Sequence, residues 1–375
     1  MTGAVVFLCD YQAPYGGNFI ASLRALEQAL SARGVPAVYL LPKGAGARTW
    51  CGALADTGST VEFFDDRQGA PAQAGQIRAV CKKHGAGILH VHFGKYAASA
   101  AAALLLPGLR LVWHYHSDFS AGKKPSPLRR VKRWALGAFC RVFAKRVRRV
   151  AVSPHIAAGL PGSTVILNAL APDRLITRHA GRAETRAALS LSDAEYLVLQ
   201  FGWSPHVKGV DTAVNAVALL CAQGVRVRLG LVGGREYPPA RMKEWIAQHT
   251  QWTGEEPFLL HLPPTEDVFA YHEAADAMLS ASRSEAFSYA LIEALFALRP
   301  CVSTDIPGVM HLAGCPAVFF TAPEDAARMA DAIKKACALS RDAAGAPLLR
   351  EARAFVEKRY AVARWVEDVL AVYGS

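Results

Sequence analysis

An alternation of short apolar runs with stretches of helical period constrains this chain more than any other feature. Val5–Cys9 reads as a strand closed by Asp10. The stretch Phe19–Ala32 then places Ile20, Leu23, Leu26 and Leu30 on one helical face and stops at Gly34, and Ala37–Leu41 is the next strand. The same unit recurs in the strand Ile88–His92, the helix Ala97–Leu106 and the strands Leu109–Tyr115 and Arg149–Val152. Strands that alternate with helices build a parallel sheet covered on both faces. The pattern pauses between Asn168 and Arg182. It restarts with Tyr196–Phe201, the helical Val210–Gln223 and Val227–Val232, and continues through short strands at Phe258–Leu262, Ala277–Ser280 and Cys301–Thr304. The expected fold is α/β, with two Rossmann-like domains facing across a cleft. The first is expected over residues 1–172 and the second over 173–358, with a helix in 359–375 that packs back on the first.

Composition agrees with two packed domains. Of 375 residues, 52% are hydrophobic and 19% charged, which argues against a long disordered stretch. The eight cysteines are scattered singly, without zinc spacing or the pairing of a disulfide framework. The first apolar run has no basic leader, and no run reaches the ~20 residues that span a bilayer. These features point to a cytoplasmic protein, at most peripheral on the cytoplasmic face of a membrane. The net charge of +11 is local, because Lys123 to Arg149 carries eleven cations and no acid. Val131, Trp134, Leu136, Phe139, Val142 and Phe143 interleave with those cations at helical spacing. A helix of that kind lies on an anionic membrane surface or packs one face into a core.

Open parallel sheets bind ligands beyond the C-terminal ends of their strands. The segment Ser284–Leu295 follows the strand Ala277–Ser280, with a helix expected to begin near Phe287 or Ser288. Glu285 then falls in the loop and Glu293 near the second turn. The free N–H groups and positive dipole end of such a helix suit a diphosphate, and the carboxylates suit sugar hydroxyls.

Glu285 to Glu293 resembles the E-x7-E element of retaining GT-B glycosyltransferases of family 4. Other segments follow in that family's order. Pro14-Tyr15-Gly16-Gly17 resembles its N-terminal glycine loop, and Phe201-Gly202 with Val207-Lys208-Gly209-Val210-Asp211 resembles the segment opening its second domain. Leu229 to Gly234 resembles a strand and turn near the base, and Pro300-Cys301-Val302 with Gly308 the segment after the second glutamate. Asn168 matches the asparagine of a junction segment whose proline and glycine are absent here.

The resemblance implies a metal-independent hexosyltransferase that takes a UDP- or GDP-linked sugar. His116 and Glu285 would be the catalytic residues. Gly16, Gly17, Lys208, Gly233, Phe287, Ser288 and Glu293 would bind the donor, Lys208 at the diphosphate and Glu293 at the ribose. The implied acceptor is a glycan or lipid-linked intermediate of cell-surface polysaccharide, reached at an anionic membrane through residues 123–149. The family's arginine after Phe201-Gly202 is Trp203 here, which leaves Arg283, Arg235 or His206 as substitute cations.

His90, His92, His114 and His116 form two strand-end pairs, but no carboxylate or cysteine stands beside them at ligand spacing, so no metal is expected. Two other readings use the same chain. An inverting transferase or an epimerase would share the architecture, and a nucleic-acid binder would use the basic segment. The second has no known motif and few aromatics at base-stacking spacing, so no nucleic-acid partner is expected.

Overall fold

The computed structural model describes residues 3–374 apart from 118–137, 140, 141, 144, 177–179, 203, 235, 236 and 252–257. The chain forms two compact units, Met1–Ala169 with Val362–Ser375 and Leu170–Ala361.

The first unit is built on the parallel strands β1 (Ala4–Cys9), β2 (Ala37–Pro42), β3 (Thr60–Phe64), β4 (Ala86–His92), β5 (Arg110–Tyr115), β6 (Val147–Ala151) and β7 (Thr164–Val165). Their order is β3-β2-β1-β4-β5-β6-β7. β1 lies inside the sheet and every one of its residues is buried, which explains why it reads as a continuous apolar run rather than an alternating one. The helix Gly17–Ser31 lays Leu23, Leu26 and Leu30 on this sheet. The helix Val362–Gly374 adds Trp365, Val366, Val369 and Tyr373 to the same core. Burying an aliphatic or aromatic side chain of this size stabilises by ~1.5–3 kcal/mol. The last helix is therefore a structural part of the first unit.

The second unit repeats the plan with β8 (Tyr196–Phe201), β9 (Val227–Val232), β10 (Leu259–Leu262), β11 (Ala277–Ser280), β12 (Cys301–Thr304) and β13 (Val318–Thr321). Their order is β10-β9-β8-β11-β12-β13, again parallel. The helices Val210–Ala222 and Ala326–Arg341 cover it, with Val214, Val217, Met329 and Ile333 in the core. Just ahead of β11, the fully buried Asp276 accepts hydrogen bonds from Arg182, Arg186, Arg341 and the Leu197 amide. Burial alone would raise its pKa, but the Arg341 hydrogen bonds, the Leu197 amide and the surrounding guanidinium charges hold it below the usual carboxylate range.

Two expectations change. The strand expected from Arg149 starts earlier, at Val147, so Arg148 belongs with Arg149 to β6 and not to a helix. Arg146 is committed as well, donating from Nε to the Leu109 carbonyl at 2.9 Å and from Nη2 to that of Leu106 at 2.6 Å. The greater part of the expected basic helix lies outside the described residues. The helix carrying Glu293 begins at Tyr289, one or two residues later than its sequence suggests, with Ser288 as its N-cap. Every cysteine among the described residues is a free thiol. No helix among them is long and apolar enough to cross a membrane.

Candidate active site

Each sheet reverses its strand order once, between β1 and β4 in the first unit and between β8 and β11 in the second. The crevice beyond the strand ends at such a reversal is the usual ligand position in open α/β sheets. In the second unit a cavity of about 130 Å³ lies at this point. Gln200 and Phe201 from the end of β8, Ser280 and Ser282 from the end of β11, and Lys208, Glu285 and Ser288 from the adjoining loops are among the residues lining it.

The polar groups of this cavity are tied together. Lys208 Nζ donates to Glu285 Oε1 at 2.5 Å, and both side chains are largely buried, with 14% and 11% exposure. Ser282 Oγ donates to the same carboxylate oxygen at 3.0 Å, and Gln200 Nε2 donates to the Lys208 carbonyl at 2.9 Å. Glycines make this closeness possible. Gly209 sits at φ +60°, and a Cβ there would come within 2.0 Å of the Ala281 carbonyl oxygen. A Cβ on Gly308 would come within 1.7 Å of the Glu285 carbonyl oxygen. The loop bearing Glu285 therefore lies directly on the backbone at Gly308. Phe287 stacks on His311 at 4.4 Å with planes 5° apart, and His311 Nδ1 lies 2.7 Å from the Tyr360 hydroxyl. The loop is thus braced on both sides.

Ser288, Tyr289 and Ala290 bring the first turn of the helix Tyr289–Phe296 to the cavity wall. Ser288, the N-cap, makes no side-chain hydrogen bond to that helix, and a helix N-terminus is a favourable place for an anion. Glu293 lies further along the helix, 6% exposed, with Oε2 3.5 Å from Nε2 of the fully buried His272. Glu293 is not among the residues that line the cavity. At the end of β9, the Gly233 amide donates to the Leu262 carbonyl at 3.1 Å.

Of the three candidate substitute cations, Arg283 is already engaged within the protein. Arg283 is bound to Asp211 through both terminal nitrogens, at 2.9 and 2.7 Å, and through Nε to Glu324 at 2.7 Å. It also donates to the His206 carbonyl at 2.7 Å, so it braces the Lys208 loop instead of offering a spare charge. Asp211 would have its pKa raised by burial, but the Arg283 hydrogen bonds and charge hold it below the ordinary value. The side chain of His206 is exposed, and Trp203 and Arg235 lie outside the described residues.

In the first unit Gly16 and Gly17 stand at the N-terminus of the helix Gly17–Ser31, with Gly17 at φ +57°. The Tyr11 hydroxyl donates to the carbonyls of Tyr15 and Gly16 at 3.0 and 3.1 Å. His116 directly follows β5 and is half-buried. Its Nε2 lies 3.0 Å from His92 Nδ1, and burial pushes its pKa down to about 3. Phe93 was missed by sequence reasoning. It holds φ +69°, a strained value for a bulky residue, and its ring lies 4.5 Å from that of His116. A phenylalanine after a strand gives no sign of such a backbone, so only the structure reveals it.

Twin parallel sheets with this shared strand order, and a cavity where the second reverses, define a GT-B α/β architecture. Residues 21–162 match the family model described as Glycosyltransferase Family 4, and residues 195–338 match that described as Glycosyl transferases group 1. The chain belongs to the family 4 glycosyltransferases of GT-B type. No curated protein sequence matches it significantly. Among solved structures it resembles a glycosyltransferase from Rickettsia africae, with TM-score 0.80 and 16% identity, covering 100% of this chain and 98% of that one. HepE from Anabaena, solved with UDP and glucose, matches with TM-score 0.77 and 19% identity over 100% of both chains. The sucrose-phosphate synthase of Thermosynechococcus elongatus matches with TM-score 0.73 and 19% identity, covering 99% of this chain and 98% of that one.

Proposed function

We propose that this glycosyltransferase moves a hexose-type sugar from a UDP- or GDP-linked donor to a hydroxyl acceptor with retention of configuration, without a divalent metal. One observation carries the reading: Lys208, Glu285 and the first turn of the helix Tyr289–Phe296 line one cavity at the strand-order reversal of the second unit. An ammonium group and oriented N–H dipoles stabilise a departing diphosphate as a metal ion would. In the unliganded protein Glu285 neutralises Lys208. A diphosphate entering the cavity competes for that ammonium group and frees the carboxylate to accept hydrogen bonds from the sugar. The UDP and glucose held by HepE support a nucleotide-sugar donor of this kind.

On the same reading Phe287 and Ser288 contact sugar or phosphate through their backbone, and Glu293 binds the ribose. Gly233 lies near the base, Gly16 and Gly17 approach the diphosphate, and His116 serves the reacting sugar. The acceptor is proposed to be a lipid-linked or cell-surface glycan intermediate. The basic segment 123–149 supports that choice and a peripheral place on the cytoplasmic face of a membrane.

The test is a panel of nucleotide sugars, with released nucleotide scored in the presence and absence of EDTA and the product anomer assigned by NMR. One UDP- or GDP-sugar turning over with retention and undiminished by EDTA is expected. Loss of turnover in EDTA removes metal independence, and an inverted anomer removes retention.

A further inference from the structure

Residues two apart in a strand share a face, and β4 pairs with β5 so that His92 stands opposite His114. His90, His92, His114 and His116 therefore gather on one side of the first unit's sheet. The first three have 0–1% exposure. Burial, above all, holds His92 and His114 well below the ordinary histidine value and His90 at about 3, so the rings are neutral. One ring nitrogen from each of these three lies within 4.8 Å of the others, a spacing that first suggests a metal ion. The ring planes argue against it. His90 and His114 stack 10° from parallel, and His92 and His114 28°.

One contact in the group has a direction. His92 Nδ1 and His116 Nε2 lie 3.0 Å apart. The other nitrogen of His92, Nε2, is buried without a hydrogen-bond partner among the described residues. A neutral imidazole carries one N–H and one lone pair. Were His116 the donor, the proton of His92 would sit on Nε2, buried and unpaired. With His92 as donor, only a lone pair is left unpaired there. A buried N–H without a partner is the rarer of the two situations.

We infer that His92 is a positioning residue whose Nδ1–H donates to His116 Nε2, fixing His116 as the Nδ1–H tautomer and making that nitrogen a hydrogen-bond donor toward a substrate oxygen. With Nε2 engaged, His116 has no lone pair to act as a base. Its ligand is an oxygen acceptor such as a sugar hydroxyl or a phosphate oxygen. Neighbouring rings resist the flip that would exchange the two nitrogens. The Phe19 ring lies 5.1 Å from His92 and 5.5 Å from His116, and Phe93 closes a third side.

The inference rests on the reading that His116 serves the reaction, and the experiment separates the two. In the 15N-labelled protein, long-range 1H–15N correlations of His116 are expected to show a protonated Nδ1 and an unprotonated Nε2. His92→Phe removes the donor. His116 should then populate both tautomers, and kcat should fall up to tenfold, the loss of one hydrogen bond of ~0.5–1.5 kcal/mol, with little change in donor KM. His92→Asn, which keeps an N–H on a side chain of similar reach, should restore both readouts. Wild-type His116 protonated on Nε2, or an unmoved tautomer in His92→Phe, overturns the assignment. Full turnover by His116→Ala overturns the substrate contact and the catalytic reading of His116, while the NMR result still decides the tautomer.

Discussion

At the residue scale, the Lys208–Glu285 pair concentrates the chemistry of the second unit. Two opposite charges held 2.5 Å apart with little solvent depend on one another. Removing either strands the other in a site built for a pair, and that stranding costs more than the pair itself contributes. Lys208→Met and Glu285→Gln should each lower unfolding free energy by about 1–3 kcal/mol, the penalty of an unsatisfied buried polar group. The double variant should lose less than the sum. Urea titration of the four proteins measures this coupling, and strictly additive losses would show that the two groups stand independently. Each single variant should also lose ~100-fold or more in kcat/KM for the nucleotide sugar, the scale of removing one preorganised charge-stabilising group. The sequence put these two residues in the right neighbourhood because each follows a strand in the same sheet. It gave no hint that they touch, since 77 positions separate them and only the β8–β11 pairing brings their loops together. Arg283 shows the converse. Its charge was legible, but its commitment to Asp211 and Glu324 was not.

At the scale of elements, β4 and β5 carry a built-in sensitivity to acid. In the unfolded chain these histidines take up protons as pH falls past about 6.5. In the folded unit His90 resists protonation down to about 3, and burial holds His92 and His114 well below the ordinary value. Below 6.5 the unfolded state therefore binds more protons. Stability is complete above that pH and declines toward about 3, with a slope of up to ~1.4 kcal/mol per pH unit for each histidine. Hydrogen exchange resolved by peptide, between pH 7.5 and 5.5 and corrected for intrinsic rate, should show β4 and β5 losing protection before β8 and β11. Neither ring nitrogen of His114 has a partner among the described residues. His114→Phe should therefore flatten the pH dependence without lowering stability at pH 7.5, and an unchanged slope would contradict this account.

The same elements show what periodicity could and could not deliver. β1, β8 and β9 were legible as buried apolar runs. β3 and β13 escaped notice because their residues are mostly half-buried or exposed, and β7 because it has only two residues. The helix Tyr289–Phe296 starts late because Phe287 is drawn sideways onto His311, a contact across 24 positions that no local propensity encodes.

On the scale of the whole molecule, charge is distributed by use. The three arginines on Asp276 are spent on the core of the second unit, and Arg146 on backbone carbonyls of the first. Arg148 and Arg149 lie on β6. From Lys123 to Arg141 the chain still carries seven cations and no acid, with Val131, Trp134, Leu136 and Phe139 among them. Cations near an anionic bilayer contribute about 1 kcal/mol each, and inserted apolar side chains add to that. The whole protein should therefore co-sediment with vesicles containing phosphatidylserine at low salt and much less with neutral ones. Charge attraction alone should be largely released by 0.5 M salt, where the screening length falls to roughly 4 Å. Retention at that salt would mean that Trp134 and its apolar neighbours enter the bilayer. Arg129→Glu with Arg130→Glu and Lys132→Glu should abolish low-salt binding while leaving turnover of a water-soluble acceptor intact. Equal binding of wild type and variant would assign the basic segment a role away from the membrane, and with it remove the main support for a lipid-linked acceptor.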